Sequence, residues 1–250
     1  MRTTKIHHWA LRRFLFKPLM TAILPAGLIA GTPSRFHDFA QIADGGGYRT
    51  IFLVLNQNDQ SVDITVKFFK DDGTPLALTV DGISGSVLTA SIPAGGTRKM
   101  VTAGTASGAQ VGWAQLTATG EVGAQILFEF SSSGQLVTQA AVESPGPVDN
   151  FDVFFDQSST SGTGVALANL SESGSIAVRL TLKDQSGTVL ATKDLTLVAR
   201  GHVARFINEI FPGTTGRGSL HIESSGPVSA ITLQVTGLVI GTQPVISVSL

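Results

Sequence analysis

The sequence predicts an all-β chain, with two tandem antiparallel β-sandwiches behind an N-terminal signal helix. Three observations carry this expectation. First, the chain repeats itself. Thr50-Ile-Phe-Leu-Val-Leu-Asn56 returns as Thr163-Gly-Val-Ala-Leu-Ala-Asn169, and Val62–Leu76 returns as Ile176–Leu190. Pro93-Ala-Gly-Gly-Thr-Arg98 answers to Val198-Ala-Arg-Gly-His-Val203, and Leu116-Thr-Ala-Thr-Gly-Glu-Val122 to Ile222-Glu-Ser-Ser-Gly-Pro-Val228. The four landmarks keep their order at offsets of 113, 114, 105 and 106 positions, as a duplicated domain with short insertions and deletions would. Each copy is about 110 residues, a common domain size. Second, apolar and polar residues alternate in run after run, the period of a half-buried strand. Third, only 14% of residues are charged and 28 are Gly, against a usual charged share of about 25%. Short strands joined by tight turns have that composition.

Residues 1–33 read as an export signal. Arg2, Lys5, Arg12, Arg13 and Lys17 precede the apolar run Leu19–Ala30, with no acid among the first 17 residues. Twelve helical residues rise about 18 Å, short of a hydrocarbon core of about 30 Å. Arg12-Arg13-Phe-Leu-Phe-Lys17 resembles a twin-arginine signal, with Leu11 where that pattern has Ser or Thr.

The first repeat is expected over residues 35–143. Ile51–Leu55 is apolar on both faces, as in the middle of a sheet. Val62-Asp-Ile-Thr-Val-Lys-Phe68 puts Val62, Ile64, Val66 and Phe68 on one face. The turn Lys70-Asp-Asp-Gly73 places Gly where positive φ is needed. Val87–Ile92 and Thr97–Thr102 follow as strands, and Val111–Thr119 and Val122–Phe130 read as a hairpin about Gly120. Ser144-Pro-Gly-Pro147 makes a stiff linker. The second repeat, 148–250, shows the same order, with Ile176–Leu182 matching Val62–Phe68 and Asp184-Gln-Ser-Gly187 matching the turn. One stretch departs: apolar residues at 206, 207, 210 and 211, ended by Pro212-Gly213, predict one or two helical turns plugging the second sandwich.

Several functions are excluded or weakened. From residue 18 onward 12 Lys or Arg face 18 Asp or Glu, and an acidic body without a basic stripe does not suit nucleic acid. There is no cysteine, hence no disulfide, thiolate site or cysteine nucleophile. No GxSxG elbow or phosphate loop is present, and His37, His202 and His221 have no ligand-like neighbours in sequence. Asp71-Asp72 reads as a solvated turn, because the second copy has Gln185-Ser186. A membrane barrel is not expected, since aromatic girdles are missing.

The candidate ligand-binding residues are Asp44, Tyr48 and Arg49, around Gly45-Gly-Gly47, and Trp113. A Gly-rich turn can cradle an anion, and aromatic rings can stack on sugars. The second copy keeps a small Gly-rich turn, Thr160-Ser-Gly-Thr-Gly164, without the Tyr or Arg, which makes the glycines architectural. Trp113, the sole Trp after the signal, is first of all a core residue.

Ala43-Asp-Gly-Gly-Gly-Tyr-Arg-Thr50 with Asn56 behind it, and Gly201-His-Val-Ala-Arg-Phe-Ile-Asn-Glu-Ile-Phe-Pro212, resemble a secreted family of soil bacteria built of tandem immunoglobulin-like repeats. The likeness spans nearly all of 35–250 and departs at Gln57-Asn58, where the family tends to have Pro after Asn. It implies immunoglobulin-like sandwiches and export, and supplies no active-site residue. The expectation is a non-enzymatic protein in the periplasm or outside the cell, with no cofactor and no membrane span once the signal is removed. It would have a structural, adhesive or protein-contact role, with polysaccharide binding as the alternative; its partners would be proteins or polysaccharides at the cell surface.

Overall fold

A computed structural model describes residues 33–248; the expected signal lies outside them. The fold is all-β with antiparallel sheets, and its strands follow the two repeats. The first contains β1 (Ser34–Asp44), β2 (Tyr48–Leu55), β3 (Val62–Phe69), the small pair β4 (Leu78–Val80) and β5 (Ile83–Gly85), β6 (Val87–Ile92), β7 (Thr97–Val101), β8 (Gln110–Ser132) and β9 (Gln135–Glu143). The second contains β10 (Val148–Gln157), β11 (Ser161–Asn169), β12 (Ile176–Asp184), β13 (Val189–Leu197), β14 (His202–Phe206), α1 (Ile207–Ile210), β15 (Gly216–Thr236), β16 (Val239–Gln243) and β17 (Ile246–Ser247). Residues 144–147 carry no regular structure between β9 and β10.

Both repeats use one plan. In the first, the beginning of β8 pairs with β1 and β3, and β3 with β6; the end of β8 pairs with β2 and β9, and β2 with β7. In the second, β15 divides in the same way between β10 and β12 on one side and β11 and β16 on the other, with β13 beside β12, β14 beside β11 and the short β17 added beside β10. The expected hairpin about Gly120 is therefore not formed. The chain runs straight through as one 23-residue strand, β8, changing neighbours near Gly120. The glycine there serves close approach. A Cβ on Gly120 would lie 2.8 Å from Val62 Cγ2, and one on its counterpart Gly226 3.1 Å from Ile176 Cγ2.

The core follows the alternation. Val62, Ile64, Val66 and Phe68 are all buried, as are Ile176, Val178, Leu180 and Leu182. Phe52 of β2 meets Phe68 of β3 and Phe39 of β1, each at 5.9 Å between ring centroids, so the two groups of strands joined by β8 close on each other. A single helical turn forms at 207–210, burying Ile207, Ile210 and Phe211. Phe206 belongs to β14 and stays partly exposed, its backbone N–H bound by Glu209 Oε2.

Two buried polar residues recur at matching places. Thr50 Oγ1 bonds both the N–H and the C=O of Ala43, and Thr163 Oγ1 does the same to Asp156. Asn56 Nδ2 lies within hydrogen-bond distance of the carbonyls of Gln60, Ile92 and Pro93, while Asn169 Nδ2 reaches those of Gly174, Leu197 and Val198. Their Oδ1 atoms accept the N–H of Asn58 and of Ser171. At the Gln57-Asn58 departure the turn is held by Asn58 itself, whose Nδ2 also reaches Glu121 O. Each Asn thus fastens the turn after one central strand to the end of another. The Asn169-Leu-Ser171 sequon has its amide wholly buried in these bonds.

Candidate functional site

Asp44, Tyr48 and Arg49 share the β1–β2 hairpin. Gly45, Gly46 and Gly47 all have positive φ, at 84°, 60° and 92°, a backbone that L side chains adopt at a cost. Asp44 is buried, and its Oδ1 accepts the N–H of Gly104 at 2.7 Å. Its carboxylate is thus committed to holding the loop before β8. The Tyr48 ring packs on Phe130 with centroids 4.8 Å apart. Arg49 is exposed and lies along Gly104. The hairpin brings these three together; Trp113 stands elsewhere.

Trp113 is 1% exposed. Its ring stacks on Phe69 at 4.8 Å, and its Nε1–H donates to the carbonyl of Arg200, in the other repeat, at 2.8 Å. An indole so enclosed presents no face to a sugar. It marks instead the seam between the repeats.

The seam has a socket on the first repeat and a plug on the second. The plug is the β13–β14 turn, where Arg200 has φ of 55°, a left-handed conformation unfavourable for a residue with a Cβ. Its guanidinium sits 5.2 Å from the centre of the Phe69 ring and donates to Glu172 Oε1. Two residues on, His202 donates its backbone N–H to Asp71 O, and its Nδ1 lies 2.8 Å from Asp71 Oδ1. The His202 side chain is fully buried, and its Nε2 has no partner among the described residues. The hydrogen bond from His202 holds the Asp71 carboxyl below its ordinary value, against a smaller opposing effect of burial. Gly73 permits the approach: a Cβ there would stand 2.2 Å from Ala199 O.

Further along, Ser229 Oγ donates to Asp38 O, Thr138 Oγ1 accepts the N–H of Ile240, and Thr242 Oγ1 donates to Ala141 O. Ala166, Ala168 and Ile231 of the second repeat belong to the same packed cluster as the first repeat's core. Asp38, bonded by Gln115 Nε2, has its pKa raised by burial, partly offset by that bond and by His37.

These contacts fall where the copies differ. By the offsets of the duplication, Phe69, Asp71 and Trp113 correspond to Lys183, Gln185 and Ser219, while Arg200 and His202 correspond to Gly95 and Thr97. Each copy has one half of the seam and has lost, or never gained, the other. His–Asp pairs that no sequence spacing suggested form across the fold twice, at His202–Asp71 and at His221–Asp152, 3.0 Å apart. Neither His nitrogen left over from these pairs bonds a hydroxyl among the described residues. No three His, Cys, Asp or Glu side chains converge among them either. The signal that could have found the seam was the list of differences between the copies.

No protein-family model matches the chain, and no curated protein is significantly similar to it.

Proposed function

We propose that the chain is a non-enzymatic exported protein built of two immunoglobulin-like β-sandwiches, with a structural, adhesive or protein-contact role. The seam carries this reading. Copies that have diverged into a socket and a plug form a body of fixed geometry, which suits presentation of surfaces to partners. The strand plan supports the sandwich assignment, because in each copy two strand groups sharing one long strand close on a common core. The basic start and apolar run of residues 1–33 support export. The polysaccharide alternative draws on Tyr48 and Trp113, and Trp113 is occupied in the seam, so it would rest on Tyr48.

Fractionating cells that produce the tagged full chain tests the export half. The expected result is a processed protein in the periplasm or medium; an unprocessed cytoplasmic protein overturns it. A glycan array tests the other half. Binding that Tyr48→Ala abolishes would replace the protein-contact role by the polysaccharide one.

A further inference from the structure

The two copies treat one surface differently. In the second repeat the outward side of β11 and β15, with Ala166, Ala168 and Ile231, is packed against the first repeat. Its counterparts in the first repeat are Leu53, Leu55 and Gln125, on the outward side of β2 and β8. They stay at least partly exposed: Leu53 and Gln125 are half-buried, Leu55 is 39% exposed, and with Lys99 and Glu143 they line a shallow depression of about 440 Å³.

The order of residues on this face is polar in a directed sense. Strand register places Lys99 of β7, Leu53 of β2, Gln125 of β8 and Glu143 of β9 in a single row. The adjacent row reads Val101, Ile51, Leu127 and Ala141. One flank is therefore basic and the other acidic, with Leu53 and Gln125 between them and Leu127 beside the buried Ile51 in the adjacent row. A two-fold axis along the strands turns such a face onto itself with its flanks exchanged, so Lys99 of each copy meets Glu143 of the other, Leu53 meets Gln125 and Val101 meets Ala141. Aligned sheets pack in this way about 10 Å apart, and an isologous contact uses one patch twice.

A head-to-tail chain of copies does not fit. The first repeat's side of the seam is already filled within the molecule, and its counterpart on the second repeat carries Lys183 and Ser219 in place of Phe69 and Trp113.

We propose that the chain forms a two-fold dimer through the outward face of β7, β2, β8 and β9, with reciprocal Lys99–Glu143 pairs. The proposal rests on the protein-contact reading and names a second copy as the partner. If the dimer fails, contact with other proteins still stands; if the glycan array succeeds, the dimer is untouched.

Sedimentation velocity on the purified full chain provides the test. Four strands make a small interface, so dissociation constants on the order of 1–100 µM are expected. Leu55→Glu should weaken association at least about tenfold. Lys99→Glu and Glu143→Lys should each weaken it, since each brings like charges together twice. An equimolar mixture of those two variants should restore it, because both cross pairs then carry opposite charges. All three positions are exposed, and unchanged thermal midpoints will show that the variants fold. A chain monomeric to several hundred micromolar overturns the proposal, as does a dimer indifferent to Leu55→Glu or a mixture that fails to recover.

Discussion

At the scale of single residues, the most demanding positions are the two buried asparagines. Asn56 and Asn169 each meet three carbonyl oxygens and one backbone N–H. Truncation strands those groups away from water, at about 1–3 kcal/mol for each one left unsatisfied. Asn169→Ala should therefore lower unfolding free energy by about 2–4 kcal/mol in urea denaturation, and Asn56→Ala by a similar amount. Both were visible in the sequence as matched strand ends; their role was not, because three carbonyls from distant segments converge only in the fold. Two aspartates at the seam should respond to pH with opposite sign. Asp38, raised by burial from an ordinary 3.8, contributes stability that is present below that value and lost as pH rises through the raised pKa. Asp71, lowered chiefly by the His202 hydrogen bond, contributes stability that is present above 3.8 and lost as pH falls through its lowered pKa. Asp38→Asn should thus be more stable than the parent at neutral pH and Asp71→Asn less stable, both differences shrinking in acid. A series of denaturation curves from pH 3 to pH 7 checks the two signs.

Elements were legible in proportion to how local their causes are. The alternation in Val62–Phe68 and Ile176–Leu182, and the positive φ at Gly73 and Gly187, follow from side-chain period and turn sterics, and all are found. Gly120 misled for the same reason. Glycine between two apolar runs usually means a turn, but here it makes room for Val62 beneath a continuous strand. A pairing partner far along the chain decided the matter, which no local pattern encodes. The helical spacing at 206–211 was right for Ile207, Ile210 and Phe211, while cross-strand pairing of β14 took Phe206. Because β8 and β15 are interior strands along most of their length, their amides can open only when sheets on both sides separate. In native-state hydrogen exchange, the amides of Leu116, Ile126, Ile222 and Ile231 should exchange with the free energy of global unfolding. A lower common value for Ile222 and Ile231 would show the second repeat opening on its own.

For the whole molecule, the correspondence between the copies was readable and the contacts that join them were not. Treating one copy as a control for the other made Asp71, opposite Gln185, look like part of a solvated turn. The folded chain pairs it with His202 instead, beside Trp113, which is buried as expected, and Arg200; these two stand opposite Ser219 and Gly95. Trp113 offers a direct probe, since it is the only Trp among the described residues. Its emission should be blue-shifted in the native protein and should move to the red in one step coincident with loss of circular dichroism, as expected if the seam and the sheets melt together. Trp113→Ala should lower stability by about 3–5 kcal/mol. The division of socket from plug also has a hereditary consequence. Tandem duplicates are commonly lost again by recombination, and a chain reduced to either copy would keep half a joint with nothing to close it. Reversing the order of the copies would leave Lys183, Gln185 and Ser219 facing Gly95 and Thr97. Complementary divergence has thus turned a redundant pair into an ordered one, in which each copy is required because of what the other no longer has.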